Sequence, residues 1–231
     1  MPQRILLEIS VESLERAVAA ERGGADRIEL CSDLAVGGLT PSRELMQGVR
    51  AAGKIPVLAM IRPRAGDFVY SDEEMESMRP AIALAREMRM DGVVLGILTE
   101  KRQVDVARTC KLVEAARGME VTFHMAVDET HNLLEAVEGV IQTGASRILT
   151  SGGRPSALDG ADQIAQMVAQ ASGRIGILPG AGITRANVEE IVRRTGVREV
   201  HAGLSSVVSR NARAAEFEEE VKKLAETVSR L

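Results

Sequence analysis

Side chains capable of chemistry lie near the ends of several short apolar segments of this chain. In each segment, apolar residues alternate with polar or charged ones, as in a β-strand with one buried face. In the segment 26–31, for example, Glu29 and Cys31 share one face, and Ile28 and Leu30 share the other. The same alternation selects one set of residues from five segments: Glu8, Glu29, Cys31, Arg62, His124 and His201.

These residue types could carry acid–base or ligand-binding chemistry if the fold brings them together. Glu8 and Glu29 could act as general acid and base, or could hold a divalent cation with His124 and His201. Arg62 could bind a carboxylate or a phosphate through two hydrogen bonds, which favours an anionic substrate over a permanent metal at this place. Alternatively, the same groups form a structural network in which Arg62 neutralises both glutamates.

Glycines follow the later apolar segments and suggest a second function. Backbone N–H groups in such loops can bind an anion, and barrels of parallel strands often bind phosphate after their last two strands. The alternative is that these glycines only permit tight turns. The predicted anion-binding residues are Ser151, Gly152, Gly153, Gly180, Gly182 and Gly203.

Strand-like and helix-like segments alternate about every 25 to 30 residues, which predicts repeated βα units. The predicted strands are Ile5–Ser10, Asp26–Cys31, Pro56–Pro63, Gly92–Leu98, Glu120–Met125, Arg147–Gly152, Arg174–Pro179 and Glu199–Leu204. The predicted helices are Ser13–Arg22, Ser42–Ala52, Asp72–Arg89, Val104–Arg117, His131–Thr143, Ala157–Ser172, Thr184–Arg194 and Ala214–Ser229.

This alternation predicts an α/β fold, a (β/α)8 TIM barrel formed by one domain over residues 1–231. A doubly wound open sheet is the alternative, but it would be expected to carry a GxGxxG motif after its first strand. The first predicted strand is followed by VESLERA, which has no glycine. A barrel would direct the chemically capable residues toward a shared axis, because the face that meets the helices must be apolar.

Composition excludes some classes of function. The net charge of −4, the absence of Trp and the presence of only one Tyr and three Phe argue against a nucleic-acid partner. No apolar run reaches the roughly 18 to 20 residues of a membrane span, and the N-terminus is not typical of a secretory signal. Two cysteines, Cys31 and Cys110, fit a reducing compartment. We therefore expect a cytoplasmic protein with neither a membrane nor a nucleic-acid partner.

The sequence resembles the CutC family, which is named for copper homeostasis. The resemblance runs from Glu8 to about Ser205, and its segments occur in one order along the chain. They are LEISVESLERAVAAERGGADRIELCSDLAVGGLTPS (Leu7–Ser42), MIRPRAGDFVYSDEE (Met60–Glu74), DGVVLGILT (Asp91–Thr99), VTFHMAVD (Val121–Asp128), RILTSGGRPSALDG (Arg147–Gly160) and LPGAGIT (Leu178–Thr184).

The resemblance implies a cytoplasmic barrel that forms a homo-oligomer, a dimer or a tetramer, and that binds Cu(I). It implies Cys31 as a copper ligand and places Glu8, Glu29, Arg62, His124 and His201 at the barrel mouth. Two departures remove positive charge near that site. Met125 stands where the family usually has arginine, and the segment from His201 to Ser205, which includes Leu204, replaces a HGSAR-like sequence.

Two functions therefore remain open from the sequence. The first is Cu(I) binding at the carboxyl end of the barrel, with Met60 or the Cys31 of a second subunit completing a site that has one well-placed thiol. The second is a lyase or isomerase that acts on a small phosphorylated or carboxylated metabolite. A barrel that only binds a protein partner is a third possibility.

Overall fold

The computed structural model describes residues 4–231 and shows eight parallel strands surrounded by eight helices. The strands are β1 Leu6–Val11, β2 Arg27–Leu30, β3 Val57–Met60, β4 Gly92–Leu95, β5 Glu120–Phe123, β6 Arg147–Thr150, β7 Gly176–Pro179 and β8 Glu199–Ala202. The helices are α1 Leu14–Arg22, α2 Arg43–Ala52, α3 Asp72–Glu87, α4 Val106–Ala115, α5 Leu133–Thr143, α6 Ala161–Ala171, α7 Val188–Thr195 and α8 Ala214–Val228. The predicted TIM-barrel fold is confirmed.

The strands form a nearly closed barrel in the order β7-β6-β5-β4-β3-β2-β1-β8. Each neighbouring pair in this order is parallel, and β1 pairs with both β2 and β8. The predicted domain also includes residues 1–3, which lie outside the described part of the chain. Within residues 4–231, no helix is both long enough and apolar enough to cross a bilayer.

Side-chain alternation separates two apolar layers. The larger layer lies between strands and helices and contains residues such as Ile9, Leu30 and Phe123, all fully buried. The smaller layer lies inside the barrel and consists of Cys31, Leu58, Met60 and Val94. Cys31 and Met60 therefore point into the barrel, whereas Leu98, the last residue of the fourth predicted strand, packs in the outer layer.

Several helices begin later than the sequence pattern suggests, because loop segments precede them. α6 and α7 begin four residues after their predicted starts, at Ala161 and Val188. α5 begins at Leu133, where the Asn132 side chain accepts hydrogen bonds from first-turn amides. The predicted start of α3 is confirmed, since Ser71 and Glu74 form a reciprocal capping box.

Candidate functional site

The strand register brings three charged side chains together inside the barrel. Glu8 of β1 is the lateral partner of Arg27 in β2 and of His201 in β8. Lateral partners in a parallel sheet point to the same face, so all three side chains project inward. Glu29 lies two residues beyond Arg27 and is paired with Ser10, which places it nearer the carboxyl end of the strands.

Glu8 is held between two cationic partners. Its Oε1 lies 2.7 Å from His201 Nδ1, and its Oε2 accepts a hydrogen bond from Arg27 Nε. Burial alone would raise the pKa of Glu8. The hydrogen bond from His201 and the charges of Arg27 and His201 outweigh this effect and lower the pKa to about 2. Burial lowers the pKa of His201, and the Glu29 charge and the Glu8 hydrogen bond raise it above its usual value. Glu8 and His201 therefore form a buried ion pair.

Glu29 is less completely paired than Glu8. Its Oε2 accepts a hydrogen bond from the Cys31 thiol at 3.6 Å and lies 3.8 Å from His201 Nε2. Its Oε1 is buried and has no hydrogen-bond partner in the described part of the chain. Burial raises the pKa of Glu29 despite the opposing charge of His201. This carboxyl group is therefore suited to accept a proton.

Cys31 and Met60 place two sulfur-bearing side chains against one glycine. A Cβ atom at Gly38 would lie 2.9 Å from Cys31 Sγ and 3.5 Å from the terminal methyl of Met60. Gly38 has φ +86° and so tolerates this close approach. Burial raises the pKa of the Cys31 thiol well above its usual range, and the Glu29 charge adds to this effect. The thiol is protonated at neutral pH.

Arg62 does not lie beside Glu8 and Glu29, where a structural network of these three residues would place it. Its guanidinium donates to the carbonyls of Val36, Gly38 and Gly66 at 2.8, 3.1 and 2.8 Å. It forms no salt bridge with Glu8 or Glu29, whose neighbouring cations are Arg27 and His201. Arg62 thus links the segment after β2 to the segment after β3.

His124 and Arg62 both lie against the Phe68 ring. Both the Arg62 guanidinium carbon and the His124 ring centre lie 4.9 Å from the Phe68 ring centre. His124 Nδ1 accepts a hydrogen bond from the Ala126 amide at 3.2 Å, and its buried Nε2 has no partner in the described residues. Burial and the Arg62 charge lower its pKa to about 3. His124 is therefore a neutral imidazole.

The loop after β6 already has acceptors for its amides. Asp128 accepts hydrogen bonds from the Ser151 and Gly153 amides, both at 2.8 Å, and the Gly152 amide donates to Thr150 Oγ1 at 2.9 Å. Binding an anion at Ser151, Gly152 and Gly153 would require these bonds to break. The amides of these three residues are therefore already satisfied within the protein.

The other predicted glycines belong to the loops after β7 and β8. The Gly180 amide donates to the Thr150 carbonyl at 2.9 Å. Gly182 and Gly203 line a cavity of about 440 Å³ that also reaches His201 and Met125.

The six predicted side chains of the site form two groups. The first is connected by direct contacts and contains Glu8, Glu29, Cys31 and His201. The second contains Arg62 and His124.

Some residues of the site were not selected from the sequence. Arg27, which also contacts Glu8, donates a hydrogen bond to Glu199 at 2.7 Å. Glu199 also lies 3.4 Å from Arg147. Strand alternation could have identified Arg27 and Glu199, since each stands two residues before a selected side chain. Asp128 gave no such signal, because it lies in an irregular segment after β5.

Two kinds of metal can be compared against these ligands. Oxygen and nitrogen atoms of Glu8, Glu29 and His201 all lie within 4.8 Å of one another. A divalent cation there would lie beside the Arg27 guanidinium, whose charge already neutralises Glu8. The thiol of Cys31 and the thioether of Met60 are soft ligands and fit Cu(I). The donor set therefore fits Cu(I) better than a hard divalent ion.

Comparison with known proteins agrees with the resemblance seen in the sequence. The CutC family model matches residues 5–206. The human "Copper homeostasis protein cutC homolog" is 47% identical over 201 residues, covering 87% of this chain and 74% of the human protein. A CutC family protein of Photobacterium profundum is 43% identical over 213 residues, covering 92% and 86% of the two chains.

Solved structures show the same relationship. The Streptococcus agalactiae protein named CutC superposes with a TM-score of 0.81 at 34% identity, covering 86% of this chain and 98% of that one. Thiamine phosphate pyrophosphorylase from Pyrococcus furiosus, with a TM-score of 0.67, 16% identity and coverage of 98% and 96%, shares the fold alone. The family match, the relatives and the barrel together establish that this chain belongs to the CutC family.

Proposed function

We propose that this protein binds Cu(I) inside the mouth of the barrel, with the sulfur atoms of Cys31 and Met60 as ligands. The observation that carries the proposal is that Cys31 Sγ and the Met60 terminal methyl both lie within 3.5 Å of the position that a Cβ atom at Gly38 would take. The role in copper homeostasis is carried over from the name of the human relative. Cys110 is not part of the proposed site, since its thiol lies on α4 and points to the Gln142 carbonyl at 3.6 Å.

Charge balance supports a monovalent ion at this place. Binding of Cu(I) to a thiol releases one proton, so the total buried charge does not change. A divalent ion would add one positive charge to a fully buried thiol site, and that charge would have to be desolvated. The Glu29 carboxylate accepts a hydrogen bond from the Cys31 thiol and could pass the leaving proton on to solvent.

Competition with a chromogenic Cu(I) chelator under anaerobic conditions tests the proposal. We expect one Cu(I) per chain, loss of this binding in Cys31→Ser, and at least a roughly tenfold weaker affinity in Met60→Leu. The apparent affinity should rise about tenfold per pH unit, because each Cu(I) displaces a proton from a thiol whose pKa is raised. Cys110→Ser is the matched control and should bind like wild type.

Unchanged Cu(I) affinity in Cys31→Ser, or a loss of binding in Cys110→Ser, would contradict the proposal. Circular dichroism and thermal unfolding of each variant would separate loss of a ligand from loss of the fold.

The other sequence-based function, an acid–base enzyme, stays a prediction. Glu29 and His201 retain a suitable arrangement, because one is a partly unpaired carboxyl and the other a charged imidazole 3.8 Å away. The names of the relatives state no such reaction. The cytoplasmic location and the homo-oligomer also stay predictions, and the two free cysteines are consistent with a reducing compartment.

A further inference from the structure

The cavity at the barrel mouth, with a volume of about 440 Å³, lies between the end of β1 and the loops after β7 and β8. We call it the mouth cavity. This volume suits a small ligand. Its walls include Ser10, His201, Arg16, Arg210, residues 181–183 and residues 203–206.

The two loops contribute backbone N–H groups that have no acceptor. Within residues 4–231, none of the amides of residues 181–183 or 203–206 donates a hydrogen bond to another part of the protein. Two of these amides belong to buried residues, Ile183 and Leu204, at 2% and 4% exposure. Amides in such positions usually have an acceptor, so solvent or a ligand in the cavity must supply one here.

The hydroxyl group of Ser10 adds to this set of donors. Ser10 is 5% exposed, lines the mouth cavity, and forms no side-chain hydrogen bond with the described residues. A Cβ atom at Gly203 would lie 3.1 Å from Ser10 Oγ, so the hydroxyl adjoins the loop after β8. Unlike the loop amides, this hydroxyl is a side-chain group on a strand and gives independent support for a ligand.

The neighbouring loop provides an internal comparison. After β6, the amides of Ser151 and Gly153 donate to the Asp128 carboxylate. Among residues 4–231, no carboxylate accepts a hydrogen bond from the amides of residues 181–183 or 203–206. An anion from solution could therefore occupy the position there that Asp128 occupies in the loop after β6.

Positive charge also lies at the mouth cavity. Arg16 donates to the carbonyls of Ser209 and Arg210 at 3.0 and 2.8 Å and forms no salt bridge with the described residues. Arg210 is paired with Glu12 at 3.0 Å, so these two charges cancel. The cationic His201 lies at the base of the cavity. His201 is compensated by Glu8, so Arg16 is the cation of the lining that has no carboxylate partner in the described residues.

We propose that the mouth cavity binds the phosphate group of a small phosphorylated metabolite. A tetrahedral phosphate has several acceptor oxygens and can receive hydrogen bonds from both loops and from Ser10 at once. Its negative charge is favoured by Arg16, which lines the cavity. This site is separate from the sulfur pair of Cys31 and Met60, so it does not depend on copper binding.

Titration of the isotope-labelled full chain with inorganic phosphate, followed by NMR of the backbone amides, tests the proposal. We expect saturable shifts at residues 181–183 and 203–206, and little change at residues 151–153, whose amides already have acceptors. The affinity should fall by up to about tenfold in Ser10→Ala, because one hydrogen bond to a charged group is lost. It should rise in Met125→Lys, which adds a cation to the lining, and stay unchanged in the matched control Met125→Leu.

Absence of saturable shifts in wild type up to about 50 mM phosphate would overturn the proposal, since that concentration detects even millimolar affinity. Shifts centred on residues 151–153 would overturn it too. So would equal affinity in wild type, Ser10→Ala and Met125→Lys, because binding would then occur elsewhere. The Met125→Lys variant keeps the test informative if Ser10→Ala fails to fold, because it predicts a gain of affinity.

Discussion

At the scale of single residues, burial and the neighbouring charges together decide which side chains of the barrel mouth are charged. Glu8 keeps its negative charge because Arg27 and His201 contact it directly. His124 has no acidic partner in the described residues. Burial and the positive charge of Arg62 both disfavour its protonation, so it is neutral. Histidine is therefore neutral at position 124 and positively charged at position 201 of the same barrel.

His124 should make the protein less stable in mild acid. Its pKa of about 3 lies below that of an unfolded histidine, so the unfolded state binds more protons below pH 6.5. The free energy of unfolding should therefore fall as the pH decreases from 6.5, by up to about 1.4 kcal/mol per pH unit from this residue.

Replacing His124 by Asn should remove this contribution while keeping an acceptor for the Ala126 amide. Urea denaturation at pH 6.5 and pH 5 measures the difference between wild type and the variant. The matched control is His131→Asn, which changes a residue at the exposed entrance to α5 and should keep the wild-type pH dependence. An equal pH dependence in wild type and His124→Asn would contradict this account.

Residue positions on the inward face could be predicted from the sequence, but their partners could not. Alternation along a strand fixes the side to which Glu8 and Glu29 point. The partner of Glu8 depends on the register between β1, β2 and β8, which a single sequence does not specify. Arg27 was consequently overlooked, and Arg62 was considered as a partner of the glutamates instead.

At the scale of elements, two loops cover the interior at the carboxyl ends of β2 and β3. Residues 34–38 carry Gly38 over Cys31 and Met60. The guanidinium of Arg62 joins this segment to the loop before α3 through three backbone carbonyls. The positions of such irregular segments follow no sequence period, which explains why the role of Arg62 was not predicted.

Arg62→Ala should loosen both loops, because three carbonyls lose their common donor. We expect faster hydrogen–deuterium exchange in residues 33–39 as well as in residues 63–70. Arg64→Ala is the matched control, since Arg64 contacts Asp67, Val69 and Glu74 but not residues 33–39. Wild-type exchange of residues 33–39 in Arg62→Ala would show that this arginine does not hold the segment.

At the scale of the whole molecule, a chain of ion pairs crosses the barrel interior. Glu199 of β8 contacts Arg27 of β2 and Arg147 of β6, and Arg27 continues to Glu8 of β1. Four strands are therefore connected by charges that are almost completely buried. The barrel itself followed from the repeated βα pattern, whereas this chain of ion pairs required the three-dimensional register.

Removing the central member of this chain should destabilise the protein strongly. Glu199→Gln leaves two buried arginines with incomplete compensation, and we expect a loss of about 2–4 kcal/mol in the free energy of unfolding. Glu138→Gln is the matched control, because its bond to Arg174 is partly exposed to solvent and should contribute much less to stability. Equal stability of the two variants in urea denaturation would contradict the structural importance of the buried pairs.

Copper K-edge X-ray absorption of the protein loaded with one Cu(I) per chain tests the central claim most directly. The account predicts sulfur neighbours in the first coordination shell, with fewer of them in Met60→Leu and an unchanged spectrum in Cys110→Ser. A first shell of nitrogen and oxygen atoms alone, or a spectrum that is unaffected by both Cys31→Ser and Met60→Leu, would contradict it.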